Sequence, residues 1–160
     1  MVQIKTYDGN RKALVKFLED LQDHVIKIDP LNRFVRLPAY GETYTDEIFE
    51  EVIKRNGKIL FAEQNGVPIG VIVGIIDELP EQDLLGCIPS KMGTIVQLFV
   101  EDKYRGKHVG SLLIEEIEKY FKNQGCDVVY VGTLKSNIKA REFYNKKGYC
   151  NRIIEMMKII

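Results

Sequence analysis

The residues best equipped for chemistry lie in one run, Tyr104-Arg105-Gly106-Lys107-His108-Val109-Gly110-Ser111, directly after the apolar stretch Ile95-Val96-Gln97-Leu98-Phe99-Val100. Two cations, Arg105 and Lys107, flank a glycine, and the residues that follow repeat at helical spacing. A strand, a basic glycine turn and a helix start together form an anion site. The first helical turn leaves backbone N–H groups unpaired, and the macrodipole adds partial positive charge there. Gly106 permits a sharp turn, and Gly110 leaves room for a phosphate to approach. The chemistry is binding of a phosphate or diphosphate, set against the plainer reading of a solvated basic turn that opens a helix. The Walker pattern requires a further glycine ahead of its Gly-Lys pair, and Glu101 stands there. No Gly-x-Gly-x-x-Gly occurs either. A nucleoside triphosphatase and a nicotinamide enzyme are therefore disfavoured.

Arg105-Gly106-Lys107-His108-Val109-Gly110 resembles the pyrophosphate loop of the GCN5-related N-acetyltransferases (GNAT), whose pattern is Arg/Gln-x-x-Gly-x-Gly/Ala. Downstream, Asn137, Ala140, Phe143-Tyr144, Lys147 and Gly148-Tyr149 resemble the same family's second motif, Asn-x-x-Ala-x-x-Phe-Tyr followed by Gly-Phe/Tyr. The two motifs occur in order, and the resemblance covers about residues 93–150. It implies acetyl-CoA as acyl donor. Its diphosphate would lie on Arg105, Gly106, Lys107, His108, Val109, Gly110 and Ser111. Its pantetheine would pair with backbone along Leu98, Phe99 and Val100, in a sheet that opens between its fourth and fifth strands. His108 departs from the pattern, because the family usually has glycine there; its side chain either points outward from the helix start or contacts the cofactor.

Acetylating an amine requires an unprotonated nitrogen, a polarised thioester carbonyl and a proton for the departing thiolate. By the resemblance, Tyr144 is the acid; a phenol near pKa 10 suits a thiolate near 8.5 only when positioned and partly desolvated. A core aromatic is the alternative reading. Asn137 resembles the residue that hydrogen-bonds the cofactor and is equally suited to capping its helix. Many family members carry Asp or Glu in the strand before the loop, but Val96 and Gln97 stand there. Glu63, Asp77 and Glu78 are then the candidate bases, beside a water chain to solvent. His24 has no partner pattern and reads as structural.

Periodicity supplies the elements that must position these groups. An N-terminal strand precedes a helix bearing Leu14, Phe17, Leu18, Leu21 and Val25. Thr45, Asp46 and Glu47 cap a second helix that Gly57 stops. Asn65-Gly66 joins two strands into a hairpin, with Pro68 at a strand start or edge. After a loop, Asp77 to Met92, come a strand from about Thr94 to Val100, a helix from about Lys107 to Asn123, a strand from Asp127 to Thr133 and a helix from about Asn137 to Lys147. A final strand or hairpin arm spans Tyr149 to Ile160. The order β-α-α-β-β-β-α-β-α-β predicts an α/β (α+β type) domain with a mixed, mostly antiparallel central sheet and helices on both faces.

The chain of 160 residues fits a single acetyltransferase domain, 1–160, and 45% hydrophobic residues suffice for a core. Lys+Arg and Asp+Glu are equal at 23 each, which argues against a nucleic-acid or membrane coat. A nucleic-acid binder using Arg105, Lys107, Lys139, Arg141, Lys146 and Lys147 is accordingly a weak rival. The longest apolar run, Val67 to Ile76, is about half a bilayer span, although Gly66, Gly70 and Gly74 mimic a helix-dimerising pattern. Cys87, Cys126 and Cys150 are dispersed and read as reduced thiols of a cytoplasmic protein. No His/Cys/carboxylate cluster has metal-ligand spacing, so no metal is expected. The expected activity is transfer of an acetyl group from acetyl-CoA to a small-molecule or peptide amine, in a chain compatible with a homodimer. The alternative is a non-catalytic acetyl-CoA sensor. The loop Asp77 to Met92 and the N-terminal helices are expected to shape the acceptor site.

Overall fold

In a computed structural model covering all 160 residues, the hairpin at Asn65-Gly66 forms as its residues demand. Both adopt left-handed backbone, φ 53 and 76, which matches a tight two-residue turn to the twist of its strands. It joins β2 (Lys58–Gln64) to β3 (Val67–Glu78). β1 (Val2–Thr6) lies beside β2, β4 (Lys91–Val100) beside β3, and β5 (Val128–Val131) beside β4. The sheet order is β1-β2-β3-β4-β5, antiparallel except for the parallel β4–β5 pair. Pro68 sits at the start of β3 beside the irregularity between Ala62 and Glu63.

Helices cover both faces. α1 (Arg11–Ile28) and α2 (Tyr40–Lys54) bury Leu14, Phe17, Leu18 and Ile48 against Ile59, Phe61, Val71, Val73 and Phe99. On the opposite face α3 (Val109–Asn123) and α4 (Ile138–Lys146) bury Leu113, Ile114, Ile117, Phe121 and Tyr144 against Leu60, Ala62, Ile72 and Ile95. Each buried Leu, Ile, Val or Phe among them contributes about 1.5–3 kcal/mol. Alternate residues of β2 and β3 thus enter different cores, which is why both strands read as unbroken apolar runs. Gly74 and Gly93 have a packing role: a Cβ on either would overlap the Phe121 ring. No helix is long and apolar enough to cross a membrane.

Three boundaries differ from expectation. α2 begins at Tyr40 rather than at a Thr45 cap. The buried Thr45 hydroxyl instead donates to the Gly41 carbonyl within the helix, at 2.7 Å. Gly41 lies against Glu19 of α1, and Arg11 reaches Glu42 and Asp46, so contacts with α1 extend the helix backwards. β3 and β4 pair outward as far as Glu78 and Lys91, leaving a shorter loop with a 3-10 turn at Glu81–Leu85.

The expected strand from Tyr149 to Ile160 does not form. Gly148, at φ 90, turns the chain so that the Tyr149 ring packs edge-on against Tyr144, ring centroids 5.6 Å apart, and its hydroxyl donates to Glu118 at 2.6 Å. Beyond it, residues 150–160 make no ladder. Ile153-Ile154, Met156-Met157 and Ile159-Ile160 come in adjacent pairs, so a strand would send one of each pair to either face. Both faces would need a cover that the helices, ending at Lys146, do not extend to them.

Candidate active site

β4 and β5 run together only from Met92–Val128 to Ile95–Val131. From Val96 to Val100, β4 is paired to β3 alone, so one edge of the strand is open. The opening begins at a β-bulge: Ile95 opposes Gly74 and Gln97 opposes Val73, leaving Val96 as the extra residue. Bulging turns Val96 and Gln97 to the same face. Val96 packs against the α1–α2 core, and Gln97 Nε2 donates to the Tyr44 hydroxyl at 2.6 Å. Leu98 and Val100 pack toward α3, whereas Phe99 lies 5.6 Å from the Phe17 ring on the other side.

The basic turn follows directly. Gly106 adopts φ 72 and His108 φ 63, and α3 starts at Val109, whose side chain is buried. The backbone N–H groups from Gly106 through Ser111 have no partner in the chain; the first to be bonded is that of Leu112, to His108 O at 3.1 Å. This is a cradle of donors at a helix N-terminus, beside the open edge of β4. Arg105 frames it. Its Nε donates to Val100 O at 2.9 Å, Nη1 pairs with Asp102 at 2.8 Å, and the guanidinium covers the Phe99 ring at 5.6 Å. The Lys107 ammonium lies 5.7 Å from the Tyr104 ring.

Gly110 also makes room for α4: a Cβ there would come within 3.3 Å of the Phe143 ring. His108 occupies a left-handed position without capping α3 through its side chain, which is the physical reason that glycine suits this place.

Asn137 caps α4, its Oδ1 accepting from Ala140 N at 3.2 Å. The amide nitrogen stays uncommitted. Tyr144 is buried, its ring 5.4 Å from Phe143 and its hydroxyl without a hydrogen-bond partner in the chain. Burial pushes its pKa up to about 12. Ser136, between β5 and α4, also has a buried hydroxyl oxygen with no partner. Such an orphan is costly unless a ligand completes it. The only clue in the sequence was a serine directly before the capping asparagine.

The candidate bases do not reach the opening as free acids. Glu63 is buried in a 2.6 Å ion pair with Lys5 at the far side of the sheet. Asp77 pairs with Arg55 and accepts from Thr94 at 2.6 Å. Glu78 ends β3 at the exposed hairpin tip. His24 lies near Arg105, Asp102 and Lys139, and burial lowers its pKa. What spacing could have revealed is a stripe on α2, Tyr44, Glu47, Ile48, Glu51 and Arg55, which recurs at helical intervals and faces Val96.

The acetyltransferase (GNAT) family profile matches residues 18–149. Glucosamine 6-phosphate N-acetyltransferase of Arabidopsis thaliana is 29% identical over 126 residues, 79% of this chain and 72% of that protein. Its crystal structure superimposes with a TM-score of 0.70, at 20% identity over 99% of this chain and 98% of that one. A structure of AAC(6')-Iy in complex with the bisubstrate analog CoA-S-monomethyl-acetylneamine gives a TM-score of 0.66, at 18% identity over 100% and 99% of the two chains. With a family match across most of its length and the same fold, the chain belongs to the GNAT family of acetyltransferases and is an N-acetyltransferase.

Proposed function

We propose that residues 1–160 act as one catalytic unit that moves an acetyl group from acetyl-CoA to a primary amine by direct attack. The observation that carries this reading is the unpaired N–H run from Gly106 to Ser111 beside the open β4 edge at Val96–Val100. The N–H run with Arg105 and Lys107 holds a diphosphate, and Leu98 and Val100 offer backbone to the pantetheine amides. The orphaned Ser136 hydroxyl and the free Asn137 amide nitrogen fit the same ligand from the other wall. The three cysteines form no disulfide, in keeping with a reducing, cytoplasmic setting.

Acetyl-CoA supplies an activated carbonyl. The neutral amine nitrogen forms a bond to it while the C–S bond breaks, and the sulfur departs with the electron pair. Tyr144 donates a hydrogen bond to that sulfur. Full proton transfer from a phenol at about 12 to a thiolate near 8.5 is uphill by about 5 kcal/mol, so Tyr144 stabilises developing charge and solvent supplies the final proton. The amide nitrogen releases its extra proton to water, since no free acid from β4 stands at the bulge. Thiol release from acetyl-CoA across a panel of amines, amino acids, peptides and aminoglycosides tests the reading. Coenzyme A binding with no amine turned over would favour a sensor instead.

A further inference from the structure

A second feature adjoins the bulge. Between α2 and the sheet runs a crevice of about 140 Å³, lined from α2 and its end by Tyr44, Glu47, Ile48, Glu51 and Arg55 and from the sheet by Val73, Ile75 and Val96. Its floor is apolar: Ile48, Val73, Ile75 and Val96. Its rim is acidic. Arg55 is shared by Glu51, at 2.7 Å, and Asp77, so neither carboxylate is free. Glu47 has no ion-pair partner in the chain; burial raises the pKa of both Tyr40 and Tyr44, and the Glu47 charge adds a smaller push in the same direction. The Tyr44 oxygen already accepts from Gln97, which leaves its O–H as a donor. Counting Glu47, Glu51 and Asp77 against Arg55, the crevice carries a negative excess.

Val96 belongs to both features: it lines this crevice and opens the unpaired edge of β4. The volume is well below the roughly 300–1,000 Å³ of ordinary ligand pockets, so the crevice suits a small, narrow group. We propose that the acceptor is a short aliphatic amine bearing a second positive charge. Its carbon chain lies between the half-buried Tyr44 and Val96, its reactive nitrogen stands at the open edge of β4 that begins at Val96, and its distal cation pairs with Glu47. This inference rests on the amine-acetylation reading above. The near nitrogen forms the amide bond, coenzyme A leaves as the thiol, and the distal ammonium keeps its proton. One unit of positive charge therefore remains to hold the product on Glu47.

The test compares 1-aminobutane with 1,4-diaminobutane, and 1-aminohexane with 1,6-diaminohexane, as acceptors in thiol release from acetyl-CoA. The parent should prefer each diamine at least tenfold in kcat/KM. Glu47→Gln should bring that ratio close to one, with Glu47→Asp between the two. Calorimetry in the presence of coenzyme A should show diamine binding weakened at least tenfold by Glu47→Gln. Glu47 is exposed on α2, so the variant folds, and circular dichroism checks this. Turnover of monoamines and diamines at equal rates, or a preference that survives Glu47→Gln, would overturn the acceptor proposal alone. Coenzyme A binding with no turnover of any amine in the wider panel would overturn the amine reading and this proposal with it.

Discussion

Replacing Tyr144 by Phe removes one oxygen from a residue that is 9% exposed and packed between Phe143 and Tyr149. The hydroxyl makes no hydrogen bond in the chain, so no partner is orphaned, and stability should change by less than about 1 kcal/mol. The ring keeps its packing. Catalysis should respond quite differently. Losing one preorganised donor to developing charge costs roughly 10²–10³-fold in kcat, or about 2.7–4 kcal/mol. The interaction is made in the transition state, so kcat and kcat/KM should fall together while coenzyme A affinity holds. Burial also predicts a pH profile. With the phenol at about 12, Tyr144 stays protonated across the workable range, and kcat should show no alkaline limb from it below about pH 11. Single-turnover thiol release under rapid mixing, from pH 6 to about 10, measures both. Parental kcat with chemistry limiting would refute the role; an alkaline fall that disappears in Tyr144→Phe would refute the burial argument.

Arg105→Ala should weaken coenzyme A binding by about 1–3 kcal/mol in calorimetry, the range for a charge-assisted hydrogen bond, and equal affinity would remove this residue from the site. His108→Gly should raise the urea midpoint: leaving a φ of 63 to glycine recovers about 1–2 kcal/mol, against about 0.4–1 kcal/mol of added chain freedom. A lowered midpoint would show that the imidazole makes a compensating contact. Asp29 accepts backbone N–H bonds from Leu31, Arg33 and Phe34, which hold its carboxyl below the ordinary 3.8. A depressed folded pKa means that its stabilisation is present above 3.8 and is lost as pH falls through the folded value. Urea unfolding between about pH 2 and pH 6 should therefore show a shallower acid loss in Asp29→Asn, and identical slopes would refute the assignment.

Local chemistry carries a large share of this protein. The Asn65-Gly66 turn, the two-faced apolar runs of β2 and β3 and the start of α3 after a basic glycine turn depend on residues a few positions apart, so spacing alone determines them. The family motifs around Arg105 and Tyr144 are legible for the same reason. Other features depend on residues distant in the chain. The bulge at Val96 exists only because β3 and β4 register differently on its two sides, and it directs Gln97 to a tyrosine that lies 53 positions earlier. The early start of α2 follows from contacts with α1. Gly110 takes its meaning from Phe143 on another helix, and Asp77 from Arg55 and Thr94. The tail from Cys150 onward has strand-like composition, but a strand must also have a neighbour to bond and covers for both faces. Only the tertiary arrangement supplies or withholds these, because backbone pairing and burial are properties of what lies alongside, not of the segment itself.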